Sequence, residues 1–212
     1  MIAVVDYGMG NLRSMGKALE HVGAEVLVTA DADDLRDAER IVLPGVGAFG
    51  EAIANLRATG LVEAMEEEVL RKGKPFLGVC VGMQLLARES VEHGRHTGLG
   101  WIAADVLPIE LGGPEIRVPH TGWNALEVVG GSDGPLGRVR PGEAFYFTHS
   151  FHVVPEDDAL VAARCEHGRS LVAAVARDNI LAVQFHPEKS QQAGLEFLAD
   201  FLSWEPSLAA AS

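Results

Sequence analysis

The sequence predicts an α/β domain with a mostly parallel central sheet, an antiparallel β-rich extension and helices on both faces. Apolar strand patterns alternate with amphipathic helix patterns through the first half of the chain. That alternation is typical of right-handed βαβ units, which bury a parallel sheet between two helical layers. The second half changes to short β-rich runs separated by turn residues, which is typical of antiparallel strands.

The first half contains four predicted strands and four predicted helices. The strands cover residues 2–7, 25–30, 40–43 and 75–79, and the helices cover residues 11–22, 48–57, 61–71 and 83–89. Each strand is a short apolar run, and each helix repeats its apolar residues with helical spacing.

The second half is predicted to add strands and one closing helix. The strands cover residues 145–154, 160–165, 171–176 and 180–185, with hairpin connections at 166–169 and 177–179, and the helix covers residues 191–204. With no repeat and no convincing linker, we expect one domain over residues 1–204 and a flexible tail over residues 205–212.

Composition excludes several classes of function. Thirty acidic residues against 17 Lys and Arg give a net charge of −13, with no basic cluster, so nucleic acid and anionic membranes are poor partners. Two cysteines do not make a disulfide framework, and no apolar window is long enough to span a membrane. The N-terminus reads as a core strand rather than a targeting signal, and a reducing cytoplasm is the expected setting.

The segment Gly78-Val-Cys-Val-Gly82 ends an apolar strand and opens a helix. This is the strand–elbow–helix pattern of hydrolases, with Cys80 at the nucleophile position. Glycine on both sides removes collisions at a strained turn, and the helix N-terminus favours the thiolate. Taken alone, the pattern is also compatible with a buried, inert cysteine.

A second candidate segment, Gln184-Phe-His-Pro-Glu188, follows another apolar run. In an extended chain His186 and Glu188 project to the same side, and Pro187 favours that extended geometry. Glu188 would orient His186, and His186 would serve Cys80 as base. A lone His-Pro-Glu loop reads more readily as surface, but parallel strands bring both segments to one sheet edge.

Glycines also follow the third strand, in Pro44-Gly-Val-Gly-Ala-Phe-Gly50. No Gly-Lys-Ser/Thr follows, so a phosphate loop fits poorly. Beside Cys80, the N–H groups of Val46, Gly47 and Val81 suit an oxyanion hole, although the loop alone also reads as an ordinary turn. His93 and His96 lack a third ligand nearby, so we expect no metal site.

Together these segments resemble class I glutamine amidotransferases, and most closely the glutaminase subunits of imidazole glycerol phosphate synthases in histidine biosynthesis. The segments that carry the resemblance are Asp6-Tyr-Gly-Met-Gly-Asn11, Pro44-Gly-Val-Gly-Ala-Phe49, Gly78-Val-Cys-Val-Gly-Met-Gln84, Val118-Pro-His-Thr-Gly-Trp-Asn124, Tyr146-Phe-Thr-His-Ser150 and Gln184-Phe-His-Pro-Glu-Lys-Ser190. They span almost the whole chain in order. The resemblance implies the three-layer class I glutaminase fold and no cofactor.

The resemblance also implies roles for individual residues. The triad would be Cys80, His186 and Glu188. The glutamine-binding residues would be Gln84, Glu92, Thr148, His149, Ser150 and Phe151. The residues facing a partner would be Asn11, Arg13, Trp123, Tyr146 and Lys189. Thr121 and Phe151 depart from the usual Met and Tyr of the pattern.

The implied activity is hydrolysis of glutamine to glutamate and ammonia. The ammonia would pass to a (β/α)₈ cyclase subunit, which forms imidazole glycerol phosphate and an aminoimidazole carboxamide ribonucleotide. Three alternatives stay open: a glutaminase subunit of another synthase, a free-standing cysteine hydrolase, and a non-catalytic binding protein. A free-standing hydrolase would not need the segment 119–124 or an exposed partner face.

Overall fold

A computed structural model of the chain describes residues 1–110, 116–129 and 134–206. The strands are β1 Ile2–Val5, β2 Val26–Thr29, β3 Arg40–Gly45, β4 Phe76–Cys80, β5 Glu89–Ser90, β6 His96–Thr97, β7 Ala104–Pro108, β8 His120–Ala125, β9 Glu127–Val128, β10 Ala144–His149, β11 Phe151–Pro155, β12 Val161–Glu166, β13 Ser170–Arg177 and β14 Ile180–Val183. The helices are α1 Leu12–His21, α2 Ala32–Asp37, α3 Phe49–Ala58, α4 Val62–Met65, α5 Val81–Gln84 and α6 Gln191–Ser203. A π-helical turn, Glu66–Arg71, continues α4, and 3₁₀ turns occupy Pro135–Arg138, Asp158–Leu160 and Pro187–Lys189.

Eight strands form the central sheet in the order β2-β1-β3-β4-β14-β13-β12-β9. The five strands from β2 to β14 run parallel, and β13, β12 and β9 extend the sheet antiparallel. β1, β3, β4 and β14 are buried along their whole length, which explains their continuous apolar sequence. The predicted architecture, a mostly parallel sheet with an antiparallel extension, is therefore confirmed.

The order of the strands places helices on opposite faces of the sheet. The chain steps outward from β1 to β2 and then in the other direction from β3 to β4, and right-handed crossovers put the two connections on opposite faces. Helix α1 accordingly packs on α6, whereas α2 packs on α4.

One strand prediction was wrong. The run over residues 145–154 is not a single strand, because it breaks at Ser150 into β10 and β11, which belong to different sheets. β10 pairs with β8, while β11 joins a four-stranded sheet in the order β11-β7-β5-β6. Neither glycine nor proline interrupts residues 145–154, so the local sequence does not mark the break.

One helix prediction also needs correction, and one helix was missed. The helix after the elbow covers only Val81–Gln84 rather than residues 83–89, and turns carry the chain from there to β5. Helix α2 was missed, although the Asp31 side chain accepts a hydrogen bond from the Asp33 N–H at 2.8 Å and caps its first turn. That Asp31 cap was the available sequence signal.

The C-terminal residues that the structure describes contact the sheet. The Arg40 guanidinium donates to the Trp204 carbonyl at 2.6 Å and to Glu205 at 3.1 Å. Of the tail predicted over residues 205–212, residues 207–212 lie outside the described part of the chain. Among the described residues, every helix is too short or too polar to cross a bilayer.

The packing of the elbow predicts opposite effects for two glycine substitutions. A Cβ on Gly82 would collide with the Leu43 carbonyl on β3, whereas a Cβ on Gly16 in α1 would meet Val26 at 3.8 Å, an ordinary contact. We expect Gly82→Ala to lower the free energy of unfolding by about 2–3 kcal/mol, since neither backbone can yield. Gly16→Ala should raise it by up to about 1 kcal/mol, because alanine favours helix. Urea denaturation of both variants measures this, and equal effects would contradict the packing described.

Candidate active site

Three parallel strands end side by side and place the candidate site. Gly45 at the end of β3 pairs with Cys80 at the end of β4, and Val183 of β14 pairs with Val79. The segments that follow these strands therefore meet at one edge of the sheet. This is the edge at which parallel α/β sheets bind ligands.

Cys80 occupies a strained elbow. Its backbone has φ 55° and ψ −112°, a conformation that costs free energy and is found mostly at functional sites. A Cβ on Gly78 would lie 3.0 Å from the Gly82 carbonyl oxygen, and one on Gly82 would collide with β3. The two glycines thus let the chain turn sharply with the thiol at the tip, as the sequence predicts.

His186 and Glu188 form a buried pair beside the elbow. The Nδ1 atom of His186 lies 2.9 Å from Oε1 of Glu188 and donates to it, since a carboxylate only accepts. The backbone of His186 is also held: its N–H donates to the Tyr146 carbonyl at 2.9 Å, and its carbonyl accepts from the Ser190 hydroxyl at 2.6 Å. The imidazole is thereby fixed in orientation.

The electrostatics favour a charged imidazole. Burial alone lowers the pKa of His186, but the neighbouring Cys80 and Glu188 outweigh it and raise the pKa to about 9. The Nε2 atom has no hydrogen-bond partner among the described residues. An imidazolium with a free Nε2–H is thus available to a thiolate or to a leaving group.

A cavity of about 350 Å³ opens at this edge. Its lining residues are Val46, Gly47, Cys80, Val81, Gln84, Glu92, Pro119, Thr148, His149, Ser150, Phe151 and His186. All the residues that the sequence suggested for the oxyanion hole and for glutamine are among them. Glu188 does not line the cavity and lies behind His186.

The glycine loop is tied to the far wall of this cavity. Oε2 of Glu92 accepts a hydrogen bond from the Phe49 N–H at 2.7 Å, at the first residue of α3. Gly47 has φ +91°, a conformation that side chains disfavour, and a Cβ there would meet the Met9 side chain at 2.7 Å. The glycine is therefore required by the backbone conformation, whereas the terminal methyl group of Met9 could move aside.

The five residues suggested for a partner lie outside the cavity. Trp123 is 49% exposed, and its ring centroid lies 6.1 Å from that of Tyr146. Lys189 Nζ stands 6.0 Å above the Tyr146 ring, so these three side chains are contiguous. Asn11 precedes α1, and Arg13 is exposed on its first turn.

Sequence reasoning missed two buried residues next to the nucleophile. The Gln184 amide donates to the Cys80 sulfur at 3.7 Å. The Tyr7 hydroxyl packs against Gly45 and has no hydrogen-bond partner among the described residues, and burial together with the charge of Cys80 raises its pKa. A polar Gln184 closing an apolar run was a signal, whereas Tyr7 reads simply as core.

The chain is similar to known proteins in both sequence and fold. The family model described as glutamine amidotransferase class-I matches residues 3–204. The imidazole glycerol phosphate synthase subunit HisH of Rhodospirillum rubrum is 49% identical and covers 97% of this chain and 99% of its own length. The same subunit of Zymomonas mobilis is 52% identical, covering 97% and 96%. The structure of PurLQS from Thermotoga maritima aligns with a TM-score of 0.74 at 24% identity, covering 95% of this chain and 97% of that one, and shows the same fold.

The two cysteines should differ in reactivity. Cys80 faces the cavity beside a cationic imidazole, whereas burial and the neighbouring Glu166 raise the pKa of Cys165 to about 12. We expect iodoacetamide at neutral pH to alkylate Cys80 at least about tenfold faster than Cys165, because only a thiolate attacks. Peptide mass mapping over time measures both rates, and Cys80→Ser is the control. Faster labelling of Cys165 would contradict the assignment.

Proposed function

This chain belongs to the class I glutamine amidotransferases and, within them, to the imidazole glycerol phosphate synthase subunits HisH, and on that premise we propose that it releases ammonia from glutamine for a synthase partner. The observation that carries the proposal is the placement of Cys80, His186 and Glu188. A strained cysteine and an oriented imidazole line one cavity, and the carboxylate lies directly behind the imidazole.

The proposed first step is attack of the Cys80 thiolate on the side-chain amide of glutamine. His186 as imidazolium then gives its Nε2 proton to the departing ammonia, leaving a thioester on Cys80. Neutral His186 next removes a proton from water, which attacks the thioester and releases glutamate. Glu188 keeps Nδ1–H bound throughout and stabilises each imidazolium.

The negative charge that develops on the amide oxygen needs hydrogen-bond donors. Val81 follows the nucleophile directly and is the first residue of helix α5, so its N–H is free of helical hydrogen bonds. Val46 and Gly47 also line the cavity. We assign the oxyanion hole to these backbone groups. Each donor in such sites contributes roughly a hundredfold or more to the rate.

The remaining wall of the cavity is assigned to glutamine. Glu92 supplies a carboxylate for the substrate α-ammonium group, and the backbone over residues 148–151 supplies polar groups for the α-carboxylate. Gln84 uses its amide N–H groups within the protein, which leaves its carbonyl oxygen as an acceptor. The sequence is acidic and has no cluster of Lys and Arg residues that would bind a phosphorylated substrate. This fits a subunit that handles only glutamine.

The partner is assigned as a cyclase subunit in a heterodimer, as the names of the relatives suggest a synthase of more than one subunit. Trp123, Tyr146 and Lys189 would lie in the interface, with Asn11 and Arg13 at its margin. An exposed tryptophan in edge-to-face contact with a second aromatic residue is a common anchor of protein interfaces. The reaction as a whole would be that of a lyase in histidine biosynthesis.

Removing the nucleophile should separate the two halves of that reaction. We expect Cys80→Ala to abolish glutamine-dependent product formation by the complex with a cyclase subunit, while added ammonium still supports it. Cys165→Ala is the matched control and should keep glutamine-dependent synthesis. The measurement is product formation with each nitrogen source. Glutamine-dependent synthesis by Cys80→Ala would remove the basis of the mechanism.

Removing the charge behind the imidazole should affect turnover and its pH dependence. We expect Glu188→Gln to lower kcat about a hundredfold or more with little change in KM, because Glu188 touches His186 and not the substrate. The carboxylate raises the pKa of His186, which is about 9. On the alkaline side of the kcat–pH profile, activity falls as the imidazolium of His186 loses its proton. In Glu188→Gln this fall should therefore occur at lower pH.

Glu156→Gln supplies a control for that prediction. Glu156 pairs with Arg88 away from the cavity, so kcat and the pH profile should stay unchanged. A Glu188→Gln variant that turns over normally with an unshifted fall of activity at alkaline pH would reduce Glu188 to a structural role.

A further inference from the structure

Two buried histidines face each other behind the glutamine-binding wall. His120 of β8 and His149 of β10 are register partners on paired strands, and His120 Nδ1 lies 2.9 Å from His149 Nε2. The His120 ring stacks on Phe147 with centroids 4.7 Å apart. Neither His120 nor its contact with His149 is used by the proposed mechanism.

The hydrogen bonds fix the tautomer of each ring. His149 Nδ1 lies 2.8 Å from the Phe151 carbonyl oxygen, which only accepts, so Nδ1 carries the proton and Nε2 of the neutral ring accepts. His120 Nδ1 must then donate to His149. His120 Nε2 in turn accepts from the Asn124 amide at 3.1 Å.

Burial keeps both rings neutral. It is the main reason that the pKa of His120 falls to about 4 and that of His149 to about 3. The neighbouring histidines act in the same direction: His167 and His120 lower the pKa of His149, as does His152, and His167 lowers that of His120. The tautomers are therefore stable at neutral pH.

The chain of hydrogen bonds continues to the nucleophile. The Phe151 carbonyl also accepts from the Gln84 amide at 3.1 Å, and the same amide donates to Gln184 Oε1 at 3.1 Å. Gln184 then presents its own amide to the Cys80 sulfur. One carbonyl oxygen thus holds a glutamine-binding side chain, and that side chain orients a donor to the thiol.

We propose that His120 is a positioning residue: its Nδ1–H pairs the buried His149 Nε2 and so holds the ring where His149 Nδ1–H fixes the Phe151 carbonyl for glutamine binding. Without the His120 donor, His149 Nε2 is left buried and unpaired, and the ring gains by turning away until Nε2 meets another donor. The Phe151 carbonyl then loses its bond from His149, and Gln84 loses its fixed anchor. The kinetic part of this proposal rests on glutamine being the substrate.

Two substitutions separate the donor of His120 from its ring. His120→Asn keeps an amide N–H near the Nδ1 position but loses the ring, whereas His120→Phe keeps a stacked ring and loses the donor. We expect His120→Phe to raise the glutamine KM about tenfold or more and to lower kcat less, since a buried polar group left unpaired is costly. His120→Asn should lie closer to the wild type. Ammonium-dependent synthesis by the cyclase complex should not change in either variant.

His167→Phe is the matched control. His167 stacks on His120 with centroids 4.2 Å apart, but its Nε2 atom bonds to the Arg117 carbonyl rather than to the pair. Glutamine KM should stay at the wild-type value. If His120 acts only through packing, the order reverses and His120→Asn is the poorer variant. That order, or equal KM values in all variants, would overturn the proposal.

The tautomers can be measured without any activity. Long-range ¹H–¹⁵N correlation spectra of the full chain should show His120 and His149 as neutral Nδ1–H imidazoles from pH 8 to 6. In His120→Phe, the His149 Nδ1–H signal should lose its hydrogen-bonded chemical shift as the ring leaves the Phe151 carbonyl, whereas in His167→Phe it should not. Nε2–H tautomers in the wild type would overturn the proposal even if the chain hydrolyses glutamine. Correct tautomers in a chain without glutaminase activity would instead count against the proposed function.

Discussion

The close approach of β3 to the elbow after β4 is the constraint on which the site depends. Gly45 and Gly82 carry no side chains, so the two backbones nearly touch, and a single methyl group at either position would meet protein atoms. This contact sets both the strained conformation of Cys80 and the position of the glycine loop that faces it. The proposed nucleophile and the proposed oxyanion donors are consequently held by one rigid contact between adjacent parallel strands, which is how preorganised sites avoid reorganisation during reaction.

Histidines at this edge of the sheet are buried to a similar degree but carry different charges. His186 has a carboxylate at one nitrogen and a thiol near the other, so its partners favour the cation. His149 has a carbonyl and a neutral imidazole, and the carbonyl raises the pKa of His149 by less than burial lowers it. Burial of both rings therefore gives a proton donor at His186 and a neutral ring with fixed hydrogen bonds at His149. The identity of the hydrogen-bond partners, rather than burial, decides which role each ring takes.

Much of the fold and the triad could be predicted from sequence, because local rules specify them. Continuous apolar strands, an elbow with flanking glycines and a His-x-Glu spacing each have one simple physical reading. The break at Ser150 and the short helix α5 could not be predicted, since tertiary pairing rather than local pattern ends those elements. Gln184 and the His120–His149 pair were missed for a related reason. Their partners lie 29 to 104 residues away, and spacing alone does not reveal them.

Strand β10 links the parts of the site that sequence treats separately. Its odd-numbered residues Phe145, Phe147 and His149 are buried, whereas Tyr146 and Thr148 are half-exposed, as the period of two requires. The Tyr146 carbonyl also accepts a hydrogen bond from the His186 backbone N–H, and the strand leads directly into residues 148–151 of the cavity wall. Any shift of β10 along its axis would therefore move the exposed aromatic face, the orientation of the catalytic imidazole and the neutral histidine pair together. Because one strand carries all three, a shift of β10 that followed binding at its exposed face would also reach the cavity wall.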